Sequence, residues 1–241
     1  MGLNWLLLRG VVREQSQWGD FPGKFAAASG GNVQTLDLPG VGTERNRPAP
    51  TSISATVDDL RARLDRGQQQ WGIFAPSLGG MVALDWASRW PEDFVRVAVC
   101  NTSARDLAGP FERFSFASIR ATLRAVASTT RLARERHVLG LVSNTEVGRS
   151  QAEIFAGFEP AIGVNVLLRQ LWAGSRAVAP ASLSMPCLVL CSKGDRLCSP
   201  IASYRLAERL GARLAEHPTA GHDLPLDDPE WVCEQIAAFG E

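Results

Sequence analysis

The chain has 241 residues, 45% of them hydrophobic and 21% charged, a balance that fits one soluble globular domain and excludes a disordered chain. Lysine plus arginine and aspartate plus glutamate both number 25, so overall charge makes no case for nucleic acid or an anionic membrane as partner. The apolar run in LNWLLLRG is too short to span a bilayer and lacks the flanks of a secretory signal, which predicts a cytoplasmic protein.

In chain order, apolar runs of strand length fall at 3–8, 33–38, 71–75, 95–100, 187–191 and 212–216, with helical patterns between them. That alternation predicts an α/β fold, a mostly parallel sheet of about six strands flanked by helices. ISATVDDLRARLDRG carries Ile53, Val57, Leu60 and Leu64 at helical spacing, with Gly67 as its stop. MVALDWASRWPED is a second helix, closed by Pro91. IASYRLAERLG and PEWVCEQIAAFG are two more, the last entered through Pro229. Between 101 and 185 no strand pattern occurs. Ile119, Leu123, Val126, Thr130 and Ala133 share one helical stripe there, and Arg120, Arg124, Arg131 and Arg134 another. Residues 105–181 are therefore expected to form a helical cap inserted over one end of a core made of 1–104 and 182–241.

The five cysteines, Cys100, Cys187, Cys191, Cys198 and Cys233, are odd in number and lie mostly in or beside apolar runs, so they read as free buried thiols. There is no CxxC pair, and His137, His217 and His222 lack zinc-ligand spacing, so no zinc site is expected.

Chemistry enters at WGIFAPSLGG. A strand ends at Ala75 and Pro76, and Ser77 precedes two glycines and a helix. Reactive groups of an open α/β sheet gather beyond the C-terminal strand ends, and a nucleophile on a sharp strand-to-helix turn needs small neighbours. A hydroxyl also needs a base, and the base an orienting acid. After the strand CLVLC comes SKGDRLCSP with Asp195, and after ARLAEHP comes TAGHDLPLDDPE with His222, each just past a strand end. Plainer readings stand beside these: Asp195 as a helix cap, Asp106 as a substitute acid, Asp223 as a loop residue and His217 as a packing residue.

The order Ser77, Asp195, His222, the turn A75-P76-S77-L78-G79, the loop D37-L38-P39-G40-V41-G42, the segment WPEDFVRVAVCNTSA, and L8-R9-G10-V11 followed by Trp18 together resemble the α/β-hydrolase family over nearly the whole chain except the insertion. Two positions depart from its usual pattern: Arg9 stands where histidine is usual, and Ala75 where glycine is. The resemblance implies a sheet that lacks the family's first hairpin, and an oxyanion hole from the backbone amides of Leu78 and Val11. It also implies hydrolysis of a small or medium carboxylic ester through an acyl-enzyme on Ser77, without a metal or organic cofactor. Serine at this place argues against the dehalogenase and epoxide hydrolase branches, which use aspartate there. Thioester, lactone and carbon–carbon substrates stay open, as does a non-catalytic binding protein of the same fold.

Arg9 is expected to pair with a scaffold carboxylate or with one on the substrate. Phe111, Phe155 and Trp172 are candidate substrate-binding residues of the cap, with Phe114, Phe116 and Leu168 as further apolar candidates for an acyl pocket. Arg113, Arg120, Arg124 and Arg131 are either a solvated face or a basic rim that docks an acidic acyl carrier protein.

Overall fold

Six parallel strands pair in the order β2-β1-β3-β4-β5-β6: β1 (Asn4–Leu8), β2 (Val33–Leu36), β3 (Trp71–Pro76), β4 (Arg96–Cys100), β5 (Cys187–Ser192) and β6 (Arg213–His217). They belong to a computed structural model that describes residues 2–67, 69–113, 116–158 and 163–240, apart from the side chains of 110, 111, 116 and 117.

The central strands read as unbroken apolar runs because both faces of the sheet are covered. Side chains alternate between two cores with period two. Leu6, Leu8, Ile73, Ala75, Val97, Val99 and Val189 enter one core, whereas Trp5, Leu7, Phe74, Ala98, Cys100, Leu188 and Leu190 enter the other. The helices divide in the same way. On the second face lie α1 (Phe21–Ser29), through Phe21 and Phe25, and the C-terminal helix. On the first lie α2 (Ile53–Arg63) and α3 (Leu78–Arg89). The α2 helix is capped by Ser52, whose hydroxyl accepts from the Ala55 amide at 3.2 Å, and it ends at Arg63, before the expected Gly67. Leu64 turns extended there, and Gly67 follows in the left-handed region.

Between β4 and β5 the described chain is helical: α4 (Pro110–Arg113), α5 (Phe116–Val126), α6 (Arg131–Val142), α7 (Glu146–Ser150), α8 (Ala152–Gly157) and α9 (Val164–Ser175). This segment has a small core of its own, formed by Leu139, Val142, Ala152 and Phe155. Three helices complete the fold: α10 (Ile201–Leu210) on the first face, then α11 (Leu224–Asp227) and α12 (Pro229–Gly240). All five cysteines are free and buried. No helix among the described residues is long and apolar enough to cross a membrane.

Candidate active site

Ser77 is the hinge between β3 and α3, with φ 56° and ψ −123°, a backbone region strained for any residue that carries a Cβ. Neighbouring groups hold it there. The Ser77 amide donates to the Cys100 carbonyl at 2.8 Å, and the Thr102 hydroxyl donates to the Ser77 carbonyl at 2.8 Å. The turn also explains the paired glycines. A Cβ at Gly79 would lie 2.6 Å from the Arg9 carbonyl oxygen, and one at Gly80 would lie 2.7 Å from the Thr102 Cβ. A side chain at Gly79 would also crowd the Ala75 Cβ at 3.3 Å, so alanine is tolerated at 75 because 79 is bare. Although Ser77 occupies the N-cap position of α3, its side chain makes no capping hydrogen bond. The hydroxyl is left to the cavity.

His222 follows β6 on the loop before α11, and its Nδ1 lies 2.7 Å from Asp195 Oδ2, with both side chains buried. Asp195 does not cap α10, whose N-cap is Pro200. Its other oxygen accepts from the amides of Leu197 at 2.7 Å and Cys198 at 2.9 Å, so one carboxylate fixes its own loop and the imidazole together. His222 Nε2 is buried with no hydrogen-bond partner among the described residues. Ser77 and His222 line one cavity of about 510 Å³ without a hydrogen bond between them, an arrangement common before substrate binds. Burial alone would lower the His222 pKa. The charge and hydrogen bond of Asp195, with the charge of Asp223, outweigh it and hold the imidazole above its ordinary 6.5.

Leu78 and Val11 both line this cavity, and neither amide has an acceptor among the described residues. Leu78 opens α3, where the first amides of a helix have no intrahelical partner. The loop bearing Val11 lies close to the serine: a Cβ on Gly10 would sit 3.7 Å from Ser77 Oγ. Its next residue, Val12, has φ 47°, rare for a β-branched side chain. Its amide donates to Gln170 Oε1 of α9 at 2.7 Å. The DLPGVG loop braces the same segment, since the Asp37 carboxylate accepts from the amides of Gln15 at 2.7 Å and Thr43 at 2.9 Å.

Arg9 takes the scaffold role. Its fork donates to both oxygens of Asp223, at 3.2 and 2.9 Å, and its guanidinium lies 4.4 Å from the centre of the Trp18 ring. Burial would raise the Asp223 pKa, but the Arg9 charge and hydrogen bond prevail and hold it below the ordinary carboxylate value. A bidentate buried pair thus stands beside the imidazole, and both arms of Arg9 are committed to the loop that carries His222. His217 is structural: Nδ1 accepts from the amides of Thr219 and Ala220, and Nε2 lies 3.1 Å from Asp228. Asp106 pairs with Arg209 and accepts from the Ala179 amide at 3.0 Å, so it is not an alternative acid.

Several candidate residues of the helical segment between β4 and β5 fall elsewhere than expected. Trp172 is 55% exposed and Leu168 also faces outward, because the cavity takes the stripe Leu167, Gln170, Leu171 and Gly174 of α9. Phe155 is 4% exposed and is spent in the small core of the helical segment, beneath the guanidinium of Arg13 at 5.5 Å, outside the cavity lining. Phe114 and the side chains of Phe111 and Phe116 lie outside the described residues. Of the four arginines of the basic rim, Arg120 and Arg124 are exposed. Arg113 is instead buried, donating to Ser103 Oγ and the Gly174 carbonyl, and Arg131 lines the cavity.

Sequence reasoning did not find Asn101, whose left-handed backbone ends β4. Its Nδ2 donates to the His222 carbonyl at 2.9 Å, and its Oδ1 accepts from the Ser192 amide at 2.9 Å. A lone Asn after a strand carries no signal of such a role. Among the described residues no group of three or more His, Cys, Asp or Glu is placed to hold a metal ion.

A family model described as serine aminopeptidase, S33, matches residues 8–229. A pimeloyl-[acyl-carrier protein] methyl ester esterase from Chromobacterium violaceum is 31% identical over 206 residues, which cover 79% of this chain and 76% of that protein. Among solved structures, the enol-lactonase of Burkholderia xenovorans LB400 is 19% identical with a TM-score of 0.78, over 99% of this chain and 92% of the other. The 2-hydroxy-6-oxo-6-phenylhexa-2,4-dienoate hydrolase of Rhodococcus sp. strain RHA1 is 21% identical with a TM-score of 0.77, over 99% and 90%. At these identities the two structures speak for the fold.

Proposed function

The chain belongs to the α/β-hydrolase family, as a member matched by its serine aminopeptidase S33 model, and from that premise we propose that it is a serine hydrolase cleaving a small or medium carboxylic ester. The observation that carries this reading is the arrangement around Ser77: a hydroxyl on a strained turn, unused for capping, sharing a cavity with an imidazole whose other nitrogen is held by a buried carboxylate.

Ser77 Oγ attacks the ester carbonyl as its proton passes to His222 Nε2, and Asp195 keeps Nδ1 protonated and aligned. The carbonyl oxygen becomes an oxyanion facing the amides of Leu78 and Val11, donors that are fixed before the charge develops. Collapse of the tetrahedral intermediate expels the alcohol, which takes its proton from His222. Water, deprotonated by the same imidazole, then releases the carboxylic acid and restores Ser77. Leu167 and Leu171 of α9, with Ile119 and Leu123 of α5, supply apolar lining for the carbon chains of the ester.

A second reading has its own support. The 31%-identical relative is named for a methyl ester on an acyl-carrier protein, and Arg120 and Arg124 of α5 are exposed beside the cavity's Ile119 and Leu123. Here the ester lies on an acyl chain tethered to an acidic carrier.

Labelling with a fluorophosphonate, followed by intact mass, tests the shared core of both readings. One adduct on the wild type and none on Ser77→Ala is the expected result, after which a nitrophenyl ester series sizes the pocket. A folded wild type that takes no adduct would refute the nucleophile and leave a binding protein of this fold. Salt-sensitive binding to an acidic carrier, lost in Arg120→Glu/Arg124→Glu, separates the carrier-bound substrate from a free one.

A further inference from the structure

Among the described residues, most of the buried polar side-chain atoms without a partner belong to residues that line this one cavity. Arg13 Nη2, Arg134 Nε and Gln170 Nε2 are buried donors without an acceptor among the described residues, and all three residues line the same space as Ser77 and His222. They come from three elements, the loop after β1, α6 and α9, so no single local turn accounts for them. A buried donor without an acceptor is costly, and folded proteins keep few of them.

The geometry fixes two of these donors. Arg13 is 7% exposed, and its Nη1 donates to Glu135 Oε2 at 2.7 Å, which leaves Nη2 on the other arm of the fork. Gln170 is 5% exposed, and its oxygen accepts from the Val12 amide at 2.7 Å. That amide can meet only the oxygen of the carboxamide, so Nε2 is assigned by the contact. The lining as a whole has a cationic surplus, with five arginines against three carboxylates among its described residues. Every orphan named here can donate and none can accept. Their natural complement is therefore a group with acceptor oxygens and negative charge.

We propose that the substrate is a half-ester of a dicarboxylic acid, whose free carboxylate is received by Arg13 Nη2, with Arg134 Nε and Gln170 Nε2 as further donors, while the ester carbonyl sits at Ser77. This names the substrate class of the site and rests on the serine hydrolase reading above. The donors are buried, whereas Ile119, Leu123 and Leu171 of the same cavity are exposed. An ester whose alcohol points to that open rim turns its acyl end toward the donors. The reaction balances as half-ester plus water giving dicarboxylate, alcohol and one proton, with no redox partner.

Mono-(4-nitrophenyl) adipate and 4-nitrophenyl hexanoate have the same acyl length and leaving group and differ in the terminal carboxylate. On the wild type, kcat/KM for the half-ester should exceed that for the neutral ester by about 10-fold, the factor that one hydrogen bond to a charged group supports. In Arg13→Met/Glu135→Gln, which removes the cation together with its counter-ion, the ratio should fall to about 1 or below. Both substrates are read on the same protein, so a loss of folded material cancels from the ratio. Arg134→Met is the second variant and should lower the ratio less.

A ratio at or below 1 on a wild type that turns over the hexanoate overturns this inference and leaves the hydrolase reading standing. A high ratio that survives the Arg13 variant overturns it as well. No adduct with the fluorophosphonate and no turnover of either ester removes the hydrolase reading, and this inference with it.

Discussion

At the scale of single residues, the site works by giving each polar atom one task. Asp195 divides its two oxygens between the loop amides of Leu197 and Cys198 and the imidazole of His222. Arg9 and Asp223 occupy one another, which keeps a free carboxylate away from the base. The imidazole pKa lies above 6.5, where the carboxylates outweigh burial. The neutral base is therefore lost as pH falls, and the acid limb of kcat/KM should lie above 6.5. In Asp195→Asn the Asp195 charge is gone and the tautomer is no longer enforced. The limb should move to lower pH and kcat should fall by about 10²–10⁴. For stability the sign is opposite: a raised histidine pKa stabilises the fold below 6.5, and this contribution disappears as pH rises through the folded-state value. An acid limb at or below 6.5 would contradict the raised imidazole pKa, and a profile with no acid limb at all would contradict His222 as the base.

At the scale of elements, legibility tracks sequence distance. The strands were readable because burial on both faces makes their sequences continuously apolar, and β1, β3 and β5 fall within a residue or so of the expected runs. Ser77, Asp195 and His222 were readable because each lies in the turn or loop that follows a strand, Ser77 directly after β3 and the other two a few residues past β5 and β6. The helical segment between β4 and β5 was legible as helix, but not in its phase. Which stripe of α9 faces the cavity depends on how it packs on α3, so Trp172 points outward while Gln170, two residues earlier, points in. Contacts across long separations were legible at most in kind: Arg9 was expected to meet a carboxylate, but Asp223 as its partner carried no signal, and neither did Val12 to Gln170. The latter contact restrains the loop that carries the Val11 amide. The Gln170 carboxamide restrains a left-handed Val12 next to the Val11 amide, so Gln170→Leu should reduce kcat for a neutral nitrophenyl ester by about 10-fold, with little change in KM. It should also weaken a boronate transition-state analogue in parallel. Val12→Gly takes the same φ without strain and should restore part of the loss in the double variant. A Gln170→Leu enzyme that binds the boronate at wild-type strength would rule out this positioning role.

At the scale of the whole molecule, one carboxylate joins the helical segment to the loop that carries the base. Asp227 of α11 accepts from Ser143 Oγ at 2.5 Å, from Thr145 Oγ1 at 3.2 Å and from the amides of Asn144 at 2.8 Å and Gly221 at 2.6 Å. Asn144 Nδ2 extends the knot, donating to the carbonyls of Gly194 and Thr219 at 2.8 Å each, beside Asp195 and on the approach to His222. The space is tight: a Cβ on Gly221 would lie 2.5 Å from the Val142 carbonyl oxygen, so these chains touch backbone to backbone. Among its ties near the site, the segment from α4 to α9 is held through Gln170 and Glu135 to the loop after β1 and through Asp227 to the loop that carries His222. Removing the second tie should uncouple the two bodies. Asp227→Ala strands the Asn144 and Gly221 amides, which should cost about 1–3 kcal/mol for each buried donor left without an acceptor. Hydrogen exchange is the measurement. In the wild type the amides of α6 and α9 should exchange with protection close to that of β3 and β4, whereas in Asp227→Ala the helices should open at lower free energy while the strands keep their protection. Equal losses in helices and strands would mean that the two bodies unfold as one unit and that Asp227 stabilises the molecule without acting as a joint.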